Sequence, residues 1–454
     1  MKILFIFRRD FRINDNTGLN YCMSIKDAII YPIFIFTPEQ IDKNKYKSDN
    51  CVQFMIESLI ELNKSINITF CHGNIESVIE DIVNKNNIDI ICTNTDYTPY
   101  SIKREQLIKK LATKLEIETK IFHDILLFEP GTIKTSSNLY YQKFTPFYNT
   151  TIKMKVNEPV TMKHNNIKNS DTKYKITTIK MKTFFTSNPS CNVHGGRNNA
   201  IKIINSIKQF KTYENTRNTL KLDTTHLSAY LKFGCVSIRE CFHKMKKNLG
   251  IKSPLIRQLI WREFYYHLGY GFLDRFGKSL KPKYDNIKWE NDNNKFKAWS
   301  SGTTGYPIVD SCMAQLNTTG YMHNRGRLIV ASFLVKNLHI DWRYGEKYFA
   351  QKLVDYDVFV NQGNWQWVAG SGADSMPYFR VFNPWIQSEK FDKDAIYIKK
   401  WLPQLEHIEP KHLHSWDKYH NLYDMKKISY YKPIVDYSKS KKEGLEIYKL
   451  YLQN

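Results

Sequence analysis

MHNRGRLIVASFLVKNLHIDW, residues 322–342, and VDYDVFVNQGNWQWVAGSGADSMPYFRVFNP, residues 354–384, crowd charged, amide, aromatic and glycine residues in an order that building a core does not require. QSEKFD follows at Gln387–Asp392, and all nine tryptophans lie beyond residue 260, so the two halves of the chain answer to different physical demands. In the first stretch Asn324, Arg327 and Leu328 share a helical face, with Arg325 splayed from it. In the second, Asp355 and Asp357 alternate as in an extended segment. Paired carboxylates suit metal or acid–base work, but no His/Cys/Asp/Glu spacing here supports a metal. A nearby arginine such as Arg327 neutralises a carboxylate better than solvent does, so Asp355 is read as an ion-pair partner facing a cofactor.

Working outward, Pro254–Gly269 (PLIRQLIWREFYYHLG) places Gln258, Trp261, Arg262 and Tyr265 on one helical stripe. Phe264 and Leu268 read as core. The amide and guanidinium need partners if buried, and a flat ligand with hydrogen-bonding edges would satisfy all four residues. Ser237-Ile-Arg-Glu240 reads as a capping box after Gly234, which closes the preceding helix. Residues 201–454 are therefore expected to form a mainly helical domain.

The first half alternates apolar runs with amphipathic stretches. Ile3–Phe7, Ala28–Phe36, Ile66–Cys71 and Ile88–Thr93 predict buried parallel strands, and Val52–Asn63 and Ile75–Asn84 predict helices. Residues 1–130 are thus an α/β domain with a doubly wound parallel sheet. RRDFRINDN follows the first strand in place of GxGxxG or GxxxxGK, which argues against a Rossmann site or a P-loop. Residues 131–200 read as a connector. Within them Thr151–Phe185 lacks periodicity, carries eight lysines against Glu158 and Asp171, and is expected to be solvated.

At 454 residues the chain exceeds the size at which one core keeps growing. Its 67 basic and 44 acidic side chains leave a formal charge of +23, a field that attracts polyanions and makes nucleic acid the leading partner. The abundance of Lys, Asn and Ile offers a compositional account of the same charge, so charge alone does not decide. Eight cysteines without CxxC spacing suggest reduced thiols in an intracellular protein, cytoplasmic or nuclear. KILFIF after Met1 is too short for a signal-peptide core, and no apolar run is long enough to span a bilayer.

TTHLSAYLKFG at Thr224–Gly234, WREFYYHL, TGYPIVDSCM at Thr304–Met313, TGYMHNR at Thr319–Arg325, SFLVKNLHIDWR and the NWQWVAGSGAD to FNPWIQSEKFD run together resemble the FAD domain of the photolyase and cryptochrome family. RRDFRINDN, DYTPYSIKRE at Asp96–Glu105 and LLFEPG with FTPF resemble its antenna domain. The match covers almost the whole chain in the family's order.

The resemblance implies FAD as cofactor and UV-damaged DNA as partner, in a protein expected to be monomeric. Tyr213, Thr224, Thr225, Leu227 and Ser228 match the segment that holds the FAD phosphates and ribityl chain. Asn324, Arg327, Asp355 and Asp357 match residues around the isoalloxazine, and Asn361 matches the asparagine against flavin N5, a choice that favours a fully reduced flavin. Trp365, Trp342 and Trp289 match the chain that carries an electron between surface and flavin. Trp261 and Trp367 match the walls of the pocket that receives a flipped dinucleotide, and Arg217, Arg262, Arg325 and Arg380 match positions near the DNA. Photolyases are a standard example of base flipping, so that step comes with the resemblance. It further implies that photoexcited reduced FAD donates an electron to a cyclobutane pyrimidine dimer, the ring splits and the electron returns.

Gln258 stands where most cyclobutane-dimer photolyases of this type have glutamate and (6-4) photolyases have glutamine. The (6-4) enzymes place two histidines where this chain has Asn324 and Leu328, however, and Leu328 cannot move a proton. Cyclobutane repair is therefore the expected activity, with (6-4) repair and a cryptochrome photoreceptor as alternatives. A cryptochrome normally adds a C-terminal tail and replaces the asparagine matched by Asn361, whereas this chain ends soon after YKPIVDYSKSKKEGLEIYK. DYTPYSIKRE lacks the Asn-Glu pair of folate-binding relatives, leaving a second chromophore of deazaflavin or folate type open.

Overall fold

The computed structural model describes residues 1–163 and 166–452. Five parallel strands, β1 (Lys2–Ile6), β2 (Ile29–Phe36), β3 (Thr69–His72), β4 (Ile90–Asn94) and β5 (Glu118–Phe122), form one sheet in the order β3-β2-β1-β4-β5. In the central strand Ile3, Leu4, Phe5 and Ile6 are all fully buried, because helices cover both faces of a parallel sheet and leave no solvent side for polar residues. Ile3 lies opposite Ile30 on one neighbour and Ile90 on the other. The four expected strands differ from the observed ones only at their ends. β5 was not expected: ETKIF is a half-exposed edge strand, so it carries no continuous apolar run.

The helix expected from Val52 begins at Asp49, because the Ser48 side chain accepts the Cys51 N–H and so caps the helix earlier. The helix Ile75–Asn86 ends where Asn87 turns left-handed. The 151–185 connector is not simply solvated as its composition suggested. Ile167 bridges to Ile30 of β2 and Lys175 to Cys71 of β3, while Met181 and Phe184 are buried in the sheet domain's core. Isolated apolar residues pin an otherwise polar chain without needing periodicity.

From Arg197 onward the described chain is helical. Ser237 and Glu240 form the expected capping box at the head of the helix Ile238–Leu249. That helix carries Arg239, which joins the halves: its Nε donates to Asp15 at 2.8 Å and its Nη2 to Asp124 at 2.9 Å, while Arg12 reaches Asp124 at 2.6 Å. Burial opposes the Asp124 charge, but the two guanidiniums hold its carboxyl well below the usual range. Farther on, the helix Val358–Ala369 packs against Pro254–Gly271, Asn324–Lys336 and Trp342–Lys352. Two glycines permit this closeness, since a Cβ on Gly345 would lie 2.1 Å from the Trp365 ring and one on Gly363 would lie 2.3 Å from Tyr265. No helix among the described residues is long and apolar enough to cross a membrane.

Candidate functional site

The helix Val358–Ala369 forms the floor of the site, and the segment before it carries both expected aspartates. Arg327 donates from one Nη2 to both Asp355 oxygens, at 3.1 and 2.9 Å, and the Ser228 hydroxyl donates to the same carboxylate at 2.6 Å. Burial alone would raise the Asp355 carboxyl, but Arg327 and then Ser228 hold it below its ordinary value. Arg327 also lies over the Tyr321 ring, whose hydroxyl pairs with Thr224 at 3.1 Å. Thr224, Ser228, Arg327 and Asp355, scattered over 131 positions, are thus one network. Asp357 goes elsewhere: it accepts from Arg9 of the sheet domain and from Tyr266, both at 2.5 Å, and so ties the floor helix to the other half.

Asn361 is held from behind by Glu346, whose carboxylate accepts its Nδ2 at 2.9 Å. This occupies the amide nitrogen and leaves Oδ1 without a donor among the described residues. Asn324 is exposed with its amide unpaired, and the buried Nδ1 of His226 also lacks a partner. These unpaired polar groups, with the Arg327–Asp355–Ser228 network, are the donor and acceptor chemistry that a flavin nucleotide's polar edges need, so the residues present fit one.

Of the three buried carboxyls here only Glu346 lacks an arginine, and burial pushes it up to about 7 despite the Asn361 bond. A carboxyl raised in the fold binds its proton more tightly there than in the unfolded chain. Stability therefore falls as pH rises from about 4.5 to about 7, by on the order of 3 kcal/mol. Glu346→Gln removes that contribution: the gap between thermal melts at pH 5 and pH 8 is expected to differ between the variant and the native protein by about this amount, the variant losing less stability as pH rises. Equal separation in both proteins would contradict the assignment.

Trp365 and Trp342 are each 2% exposed, whereas Trp289 is half-buried. Gly345 sits one turn after Trp342 and touches the Trp365 ring, which places Trp342 on the helix face turned toward Trp365. Trp289 is carried to the same region by Glu290 and Asn291, whose N–H groups donate to His339 O three residues before Trp342. Trp365 and Trp342 thus lie buried on two helices that pack against each other, and Trp289 is the more exposed of the three.

The expected stripe on Pro254–Gly271 divides. Trp261 lies flat on Phe144, with centroids 3.6 Å apart and planes 3° apart, and Tyr265 lies beside it. Gln258 is half-buried with no hydrogen bond to a described residue. Arg262 instead turns to the sheet domain, donating to Ile125 O at 2.8 Å, because the adjacent buried Glu263 and Tyr266 draw it inward. Arg325 is held by Asn218 at 2.7 Å and stacks on Phe391. Arg217 reaches Glu214 only at 3.9 Å, while Arg380 is exposed and Trp367 and Tyr213 are half-buried. Thr225 accepts the N–H of Leu227, which is buried, and so turns the chain into the short helix Leu227–Lys232. Sequence reasoning missed Glu346, Phe144, Tyr321 and Arg9. FTPF stands out as a motif, but nothing in it signals a stacking partner more than a hundred residues away.

A cavity of about 480 Å³ lies between the halves, lined in part by Arg8, Arg104, Lys232, Tyr356, Trp342 and Glu346. Arg8 and Arg104 are 7% and 8% exposed, and Arg8 Nη2 is buried without a partner. Burial and the neighbouring Arg104 push the Arg8 guanidinium well below its ordinary value. An anion at this end would relieve both effects.

A parallel-sheet domain docked on a helical domain, with a polar cradle in the helices and a cationic cavity at the junction, defines a two-domain cofactor-binding protein. Residues 3–163 match the family described as DNA photolyase, and residues 255–450 match the FAD binding domain of DNA photolyase. The chain belongs to the DNA photolyase family. It is 36% identical to the deoxyribodipyrimidine photo-lyase of Buchnera aphidicola from Acyrthosiphon pisum, over 99% of this chain and 97% of that protein. It is 30% identical to the Escherichia coli enzyme of the same name, over 97% of each. An archaeal photolyase structure from Sulfolobus tokodaii, described as holding two FAD molecules with the implication of a novel light-harvesting cofactor, shares 40% identity and a TM-score of 0.89 over 99% of this chain and all of that one. A Synechocystis cryptochrome structure shares 26% identity and a TM-score of 0.87, over 98% of this chain and 99% of that one.

Proposed function

We propose that this protein binds FAD without a covalent link and uses light to split cyclobutane pyrimidine dimers in DNA. The observation that supports the reading is that Trp365 and Trp342 are buried on adjacent packed helices while Trp289 is half-buried, the gradient of exposure that a series from flavin to surface requires. When bound, FAD supplies the light absorption and the electron that opens the cyclobutane ring. The chain does the rest. Thr224, Ser228, Arg327 and Asp355 hold the cofactor, and Asn361 presents an acceptor at its ring. The three indoles pass electrons inward from the surface. Trp261 and Trp367 receive the extruded lesion, which leaves the duplex more cheaply than a normal pair because it is poorly stacked. Gln258 hydrogen-bonds a pyrimidine edge, and Arg217, Arg325 and Arg380 meet phosphates.

The division into residues 1–130, 131–200 and 201–454 belongs to this reading, as does a monomer in the cell interior. The eight free cysteines, seven of them buried, suit a reducing compartment. The junction cavity takes a second chromophore of flavin or deazaflavin type with an anionic group facing Arg8 and Arg104. Acid precipitation of the purified protein is expected to release FAD. Protein that carries no flavin and cannot take it up would overturn the reading.

A further inference from the structure

We propose that Phe144, gripped by Arg257, is a positioning residue that fixes the Trp261 indole and thereby sets how well the protein distinguishes an extruded dimer from ordinary bases. The inference rests on the reading that Trp261 receives the lesion. Two short sequence spacings build the device. On the helix Phe144–Thr151, Phe144 and Tyr148 stand one turn apart; on Pro254–Gly271, Arg257 and Trp261 do the same. The two helices mesh, so that the Phe144 ring lies parallel to the indole at 3.6 Å and the Arg257 guanidinium stands 4.9 Å from Phe144 and 4.8 Å from Tyr148. Phe264 closes the side edge-on to both rings, 5.8 Å from Phe144 and 5.6 Å from Trp261.

Burial separates the two roles. Phe144 is 1% exposed and cannot touch DNA, whereas Trp261 stays half-buried after the stack. An indole already held parallel to its backing loses no rotamer freedom when a lesion stacks on it, while an unbacked one must first be ordered. Ordinary duplex, which does not enter the pocket, gains nothing from this rigidity. Phe144 therefore contributes to selectivity and not to general affinity.

Dissociation constants measured in the dark, with the FAD-loaded protein, on a duplex bearing one cyclobutane thymine dimer and on the same duplex undamaged, test this directly. Phe144→Leu is expected to weaken dimer binding about three- to tenfold and to leave undamaged binding unchanged, with FAD content retained. An unchanged ratio, or equal weakening on both duplexes, overturns the proposal. If Phe144→Leu does not fold, Arg257→Met carries the same test, with a fall in the ratio expected and an unchanged ratio decisive against it. Trp261→Ala separates the two levels. Loss of discrimination there with none in Phe144→Leu leaves the lesion-pocket reading standing and the Phe144 role refuted, whereas retained discrimination in Trp261→Ala refutes both.

Discussion

Trp342→Phe abolishes light-driven reduction of the oxidised cofactor and leaves repair by chemically prereduced protein nearly intact. Trp342 is 2% exposed, so phenylalanine keeps most of its packing, but a benzene ring is far harder to oxidise than an indole. Trp342 is buried on a helix packed against the floor helix that carries Trp365, and the proposed route continues from it to the half-buried Trp289. Photoreduction with an external electron donor, followed by absorption, and single-turnover repair after dithionite reduction separate the two activities. Equal loss of both would show that Trp342 serves packing and not electron transfer.

Arg327→Ala removes the guanidinium paired with Asp355, which is 4% exposed, and leaves a buried charge with the Ser228 hydroxyl as its remaining hydrogen-bond donor among the described residues. Breaking a buried pair from one side costs about 3–5 kcal/mol, so the variant is expected to unfold at markedly lower denaturant and to purify without FAD. The double variant Arg327→Met, Asp355→Leu removes both charges. It is expected to regain much of the stability while still failing to hold FAD, because the hydrogen-bonding groups are gone. Denaturation midpoints and flavin-to-protein ratios report the two effects independently. A single variant that retains FAD at the native ratio would show that this pair serves the fold alone.

The physics of each element explains how much of this could be read from sequence. β1 and β2 are visible because a parallel strand covered on both faces needs an unbroken apolar run, and IIYPIFIF has one. β5 is invisible because an edge strand does not. The Arg327–Asp355 pair follows from charge chemistry once both residues are suspected of facing one site. Arg9 and Asp357 are 348 residues apart, however, and only the docking of the halves brings them to 2.5 Å. Glu346 in WRYGEKYF looks like a solvated helix position, and its burial, 7% exposed, depends on the cavity wall that the other domain supplies. Arg262 shows the converse error, since helical spacing placed it beside Trp261 while the tertiary fold turned it to Ile125 O.

Lesion choice is the most direct test of the whole account, because two residues point in opposite directions. Gln258 in place of a carboxylate changes one hydrogen bond, worth about 0.5–1.5 kcal/mol, whereas Leu328 removes any proton relay at its position, without which the (6-4) reaction does not proceed. Oligonucleotides carrying a single cyclobutane thymine dimer or a single (6-4) photoproduct, incubated with reduced protein in near-UV or blue light and in the dark, measure the outcome. The account predicts restored thymines from the cyclobutane substrate in the light only, with Gln258→Glu equal or faster. Restoration of the (6-4) substrate alone, or of neither substrate by FAD-loaded reduced protein, would contradict it.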